Sequence, residues 1–171
     1  MQEISPKKAL SQFGGFPVVI ASIGNMDDSN LITLAYVYPM SIDPCMVGVG
    51  IGIPRYSHEY FERYPDFALN LVTRELLEAA NVCGSKSGRD VDKWDAANLT
   101  KAMGVNIQSP HIASARAVFE IQREGSFKTG DHTCFFGKVV STLVKEDYHY
   151  LENMLYWRGK YGEHVHLGDG I

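Results

Sequence analysis

Cysteine is scarce in this chain: three in 171 residues, at Cys45, Cys83 and Cys134, with no C-x-x-C pair. That number and spacing exclude a disulfide framework and a structural zinc site, and the thiols are expected to be buried as small apolar side chains. Long apolar runs are missing as well, so no membrane-spanning helix is expected. The opening "MQEISPKKALSQFGGFPVVIASIG" lacks the uninterrupted apolar segment and small-residue cleavage site of a signal peptide, which makes the cytoplasm the expected location. Basic blocks are absent too. A net charge of -4 and a pI near 5.8 provide no global field for polyanions, so neither nucleic acid nor an acidic membrane is an expected partner. With no repeat, low-complexity tract or linker, a single domain over residues 1–171 is expected.

What is present is mostly β pattern. Pro17 to Ile23, Leu31 to Tyr38, Met46 to Ile53 and Phe67 to Val72 are short runs rich in Val, Ile, Leu and aromatics, the first three separated by the turn-forming "GNMDDSN" and "PMSIDPC". They read as a meander, spaced too closely for helical crossovers. A helical middle follows. "RELLEAANVCG" puts Leu76, Leu77, Ala80 and Cys83 on one side with Gly84 at the C-cap position, and Asp90 is a cap for a helix through "VDKWDAANLTKAMG". The β pattern returns with Ala115 to Arg123 and Thr133 to Val144, joined by a hairpin or longer loop, and again near Met154 to Trp157. The whole predicts a mainly β fold with helical insertions, an antiparallel barrel and not a doubly wound sheet.

Several stretches have the composition of a site. In "MVGVGIGIP", Gly48, Gly50 and Gly52 share one strand face and Val47, Val49, Ile51 and Ile53 the other. Three bare positions in register imply close approach by a neighbouring element or a flat ligand. The spacing is not the dinucleotide fingerprint, and Pro54 stands where its helix would open. "RYSHEYFERY" places Arg55 beside a helix start that Ser57 can cap, either an anion site or a solvated surface helix. In "NVCGSKSGRDVDKW", Lys86, Arg89 and Lys93 crowd a turn where a helix dipole disfavours positive charge. Asp90, Asp92 and Asp95 offset that cost, or a bound phosphate does, with Ser85 and Ser87 as donors. The string is not a nucleotide-hydrolysing P-loop. His132 lies beside Asp131 in a loop entering an apolar strand, as a site wall or a solvated side chain. His164 and His166 lack a matching ligand set, so no metal site is expected. The aromatic run "YWRGKYGEH" suits core, interface or a ring-stacking surface.

In order along the chain, "SNLITLAYVYPMSIDPCMVGVGI", "RYSHEYFERYPDFALNLV", "CGSKSGRDVDKW", "GDHTCFFGKVV" and "LYWRGKYGE" resemble the flavin reductase-like family of FMN-binding split barrels, particularly the flavoredoxin type. The resemblance implies an antiparallel Greek-key split β-barrel, usually a homodimer, with non-covalent FMN near the subunit interface. It implies that Asn30 and Thr33 lie beside the flavin, that Tyr36 stacks near its ring, and that Ser41 of the S-x-D-P segment and Asn70 of the F-x-x-N strand line the pocket. Arg55 and Ser57 match the family's Arg-x-Ser/Thr phosphate contact. Gly84, Ser87 and Lys93 match its loop, and His132 its Gly-Asp-His segment, near the ring or an incoming nicotinamide and the one catalytic candidate. The implied activity is an NAD(P)H-dependent flavin reductase passing electrons to flavin, ferric iron or another acceptor. A non-enzymatic FMN electron carrier reduced by a redox protein partner, and a flavin-free ligand-binding barrel, are the alternatives.

Overall fold

The computed structural model describes residues 5–13, 15–157 and 159–163. His164 and His166 lie outside the described residues. The strands are β1 (Phe16–Pro17), β2 (Val19–Gly24), β3 (Ser29–Leu34), β4 (Val37–Ser41), β5 (Met46–Gly52), β6 (Asp66–Leu71), β7 (Lys101–Ala102), β8 (His111–Ile112), β9 (Ala117–Thr129), β10 (His132–Val144), β11 (Leu155–Trp157) and β12 (Lys160–Gly162). Helices α1 (Tyr56–Arg63), α2 (Leu77–Ser85) and α3 (Lys93–Ala96) sit between them. Seven strands form one antiparallel sheet in the order β3-β2-β6-β9-β10-β5-β4.

That order forces a barrel. Its two edge strands, β3 and β4, are consecutive in the chain and joined only by Ala35 and Tyr36. Laid flat, the edges of a seven-stranded sheet would lie roughly 29 Å apart at the usual strand spacing. The three Cα steps from Leu34 to Val37 reach about 11 Å at most. The sheet therefore rolls until its edges meet, which gives the antiparallel barrel that the sequence pattern implied, of the split type that the resemblance implied.

Side-chain alternation then sorts β2 between two cores. Val19, Ala21 and Ile23 point into the barrel with Val49, Ile51, Phe61, Phe67 and Phe135. Val18 and Ile20 point outward under α2, with Leu31, Ala80, Cys83, Trp94 and Ile112. A strand covered on both faces reads as a continuous apolar run, as this one does. Helix α1 packs Phe61 into the barrel interior, and α2 covers the β3 edge, where the Thr33 hydroxyl donates to the Ala80 carbonyl at 2.6 Å.

Several local expectations are corrected. The run from Leu31 to Tyr38 breaks at Ala35 and Tyr36, so the first strands are two hairpins on opposite edges and not one meander. Ser57 caps nothing: it lies inside the first turn of α1, with Arg55 at the N-cap. Gly84 falls inside α2, whose C-cap is Lys86. The cap of α3 is Asp92, whose carboxylate accepts from the Trp94 amide at 2.8 Å, and Asn98, at φ 51°, follows directly on that four-residue helix and its Ala97 C-cap. "EGSFKT" is strand; the reversal is made by Gly130 (φ 64°) and Asp131. Cys83 and Cys134 are buried as expected, but Cys45 is exposed in the β4–β5 turn. Among the described residues no helix is long and apolar enough to cross a membrane, and no His, Cys, Asp and Glu group could hold a metal ion.

Candidate functional site

Where the barrel edges meet, a cleft of about 300 Å³ opens between β3, the start of α1 and the loop after α2. Ile32 to Ala35, Cys83 and Gly84 line its floor. One end carries Arg55, Tyr56, Ser57, the loop Ser85 to Arg89, and Lys93. The other carries Tyr36, Gly50 and His132, with Gly52 between His132 and Arg55.

The cation end is built by pinning α1 in place. Asp28, in the β2–β3 turn, accepts from the Tyr60 hydroxyl at 2.6 Å and the Tyr64 hydroxyl at 2.8 Å, and these bonds hold its carboxyl below the usual carboxylate range. On the opposite side the buried His58 ring meets the Thr133 hydroxyl of β10 at 2.8 Å through Nε2. So anchored, α1 presents Arg55 and Ser57 to the cleft. The Arg89 guanidinium lies 4.9 Å from the centroid of the Tyr56 ring and pairs with Glu59, tying the loop to the same turn.

Lys93 is 6% exposed, and its ammonium donates to the main-chain oxygens of Leu31 at 2.8 Å and Cys83 at 2.9 Å. Burial, reinforced by the nearby Arg55 charge, lowers its pKa. Burial also pushes the neighbouring Cys83 thiol up to about 11. Among the described lining residues there are four permanent or near-permanent cations, Arg55, Lys86, Arg89 and Lys93, and no carboxylate. In a chain of net charge -4 this is a local reversal of sign, and it suits an anion.

At the other end the glycine face of β5 is explained in two parts. Added Cβ atoms at Gly48 and Gly50 would fall 2.7 Å from Met40 Sδ and 3.1 Å from the Tyr38 hydroxyl oxygen, so β4 side chains lie directly on that strand. At Gly52 the nearest atoms are those of Arg55 and His132, at 3.5 and 3.7 Å, so this glycine leaves the cleft wall without a side chain between them. The Tyr36 and His132 rings stand 5.1 Å apart, and His132 Nδ1 meets the Asp131 carboxylate at 2.7 Å. That bond lowers the Asp131 pKa.

The fold thus brings Thr33, Tyr36, Arg55, Ser57, Gly84, Ser87, Lys93 and His132 to one cleft. Three other residues implied by the resemblance do not line it. Asn30 is buried behind it, donating to Ser57. Asn70 is fully buried in β6, where its amide donates to the Ile20 carbonyl and the Ser22 hydroxyl and accepts from the Ile112 amide at 2.7 Å. Ser41 ends β4 opposite Met46, about 16 Å along the strand from Tyr36. The resemblance passed over Lys86, Arg89 and Tyr56; the signal for the two cations was their crowding between Asn81 and Trp94, and Tyr56 carried none of its own between Arg55 and Ser57.

The chain is thus an antiparallel split barrel whose closure creates a cation-ended cleft. A family model described as flavin reductase like domain matches residues 10–164, and the chain belongs to that family. An uncharacterized protein of Archaeoglobus fulgidus is 30% identical over 118 residues, covering 69% of this chain and 67% of that protein. An NADH-dependent FMN reductase, AsuE2, of Streptomyces nodosus subsp. asukaensis is 27% identical over 124 residues, 71% of this chain and 65% of that one. Among solved structures, flavoredoxin from Methanosarcina acetivorans superposes with a TM-score of 0.86 at 19% identity, covering 99% of this chain and 95% of that chain.

Proposed function

We propose that this protein is a flavin-dependent oxidoreductase that holds FMN in the cleft, takes electrons from NADH or NADPH and passes them to a second acceptor. The observation that carries this reading is the charge pattern: four cations and no carboxylate among the described lining residues of one cleft in an acidic protein. A phosphate monoester fits that end, with Ser57 and Ser87 adding hydroxyl donors. The bare Gly52 wall beside Tyr36 and His132 fits a planar ring.

In this reading Arg55, Ser57, Ser87 and Lys93 hold the phosphate and nearby oxygens, and Thr33 and Gly84 border the remainder of the ligand by shape. The Thr33 hydroxyl is already committed to the Ala80 carbonyl. When bound, FMN supplies the ring that exchanges electrons with a reduced nicotinamide. The protein's contribution is to orient that ring and to place positive charge beside it. With Nδ1 held by Asp131, His132 keeps Nε2 for steering an incoming nicotinamide.

Purified protein should show flavin bands or take up added FMN, and anaerobic NADH or NADPH should bleach them. Absence of both bands and uptake rejects the reading. A second reading is a carrier reduced by a protein partner, kept because His132 is the one imidazole lining the cleft among the described residues and its Nδ1 is taken by Asp131. Bleaching by a partner protein alone would select the carrier. Either form is expected to be a homodimer, since the edge strand β4 exposes Tyr38 and Met40; light scattering of the eluting protein checks this.

A further inference from the structure

Asn30 sits where three pieces of the cation end meet, yet it adds no surface to the cleft. It is 5% exposed on β3, and its amide nitrogen donates to the Ser57 oxygen at 2.9 Å. Its amide oxygen stands 2.5 Å from where a Cβ on Gly88 would project, and the Tyr56 ring stands 2.9 Å from the same point. The loop main chain therefore threads a notch between Asn30 and Tyr56 that only glycine fits.

An amide nitrogen donates and cannot accept. In this pair the Ser57 oxygen is the acceptor, so its single proton points elsewhere. Ser57 is 2% exposed and lines the cleft, and its hydroxyl makes no other hydrogen bond among the described residues. A hydroxyl held this way presents a donor to the cleft, which favours acceptor oxygens such as those of a phosphate.

We infer that Asn30 is a positioning residue that makes the cation end selective for phosphorylated flavin, by fixing the Ser57 hydroxyl as a donor toward the ligand without touching the ligand itself. The inference rests on the FMN reading above. Aspartate at this position keeps the size but only accepts when ionised, so the Ser57 proton turns back toward it. Leucine removes the donor without adding charge and leaves the hydroxyl free to rotate.

FMN and riboflavin differ by the phosphate alone, and both are titrated by flavin fluorescence into wild type, Asn30→Asp, Asn30→Leu, Ser57→Ala and the Asn30→Leu/Ser57→Ala double variant. Asn30→Asp is expected to weaken FMN about tenfold to a hundredfold and to leave riboflavin within about threefold. Asn30→Leu is expected to weaken FMN less, and to have no further effect once Ser57 is alanine, because it acts through that hydroxyl. If Asn30→Asp does not fold by circular dichroism, the cycle between Asn30→Leu and Ser57→Ala decides alone. Unchanged FMN affinity, a loss shared equally by riboflavin, or additive losses in the double variant overturn the inference. A wild type that binds neither flavin overturns the FMN reading beneath it.

Discussion

The ammonium of Lys93 donates to the main-chain oxygen of Cys83 at 2.9 Å, joining the first residue of α3 to the last turn of α2 across the loop they bracket. A second bond, to Leu31, extends the tie to β3. The charge is thus fixed by the same contacts that fix the floor of the cleft, and it stays buried while facing the cation end.

Because burial lowers the Lys93 pKa from the ordinary 10.5, the folded protein gives up this proton before the unfolded chain does. Stability therefore gains from the group as pH rises between the lowered value and 10.5, and affinity for an anion falls across the same window. Lys93→Met is expected to weaken FMN about tenfold at neutral pH, to flatten the alkaline loss of affinity, and to lower the melting temperature as well, because the Leu31 and Cys83 oxygens lose their buried donor. Equilibrium titration of FMN against pH checks the first two and a thermal melt the third; wild-type affinity in the variant would remove Lys93 from the site.

His132→Ala separates holding the ligand from using it. The imidazole lines the cleft beside Gly52 and the Tyr36 ring and, in the reading above, acts on the nicotinamide, so FMN affinity should be nearly unchanged while anaerobic bleaching by NADH slows about tenfold or more. The Asp131 carboxyl, held low chiefly by its bond to His132, should return toward its ordinary range, read by carbon-detected NMR titration. An equal loss of FMN affinity would instead make His132 a binding residue.

Asn70 makes three hydrogen bonds from a fully buried position. Asn70→Leu leaves the Ile112 amide and the Ile20 carbonyl short of a partner and is expected to cost about 2–3 kcal/mol of stability. FMN affinity of the folded variant should match wild type. Urea denaturation with a parallel FMN titration tests this, and a selective loss of FMN affinity would return Asn70 to the pocket.

The three thiols should differ sharply in reactivity. Cys45 is exposed, whereas Cys83 is buried with its thiol pushed up to about 11 and Cys134 is buried in β10. Iodoacetamide at pH 8 is expected to label Cys45 in the native protein, and all three only after denaturation, as read by mass spectrometry. Rapid labelling of Cys83 in the folded state would contradict the packing of α2.

Much of the barrel was legible because alternation survives in the strands: Val47, Val49 and Ile51 announce which side of β5 is inside. The break at Ala35 was not, since "LITLAYVY" keeps its β-forming character through the bend and only the long-range pairing decides where it splits. The cation cluster was visible as composition, but which cations face the cleft depends on the pinning of α1 by Asp28 and of the loop by Asn30 and Tyr56, contacts made across long stretches of chain. Asn70 and Ser41 were placed at the ligand by motif alone. Their surroundings are supplied by Ile112 and Met46, on separate elements of the chain.

The two-residue bridge of Ala35 and Tyr36 makes shape and function inseparable. Lengthening it would relax the seam, letting the rolled sheet spread and the cavity beside it vanish at one stroke, whereas the Gly130–Asp131 reversal lies at the tip of a hairpin and tolerates extra chain. Evolution is thus free to vary what hangs from this cylinder far more than the stitch that shuts it.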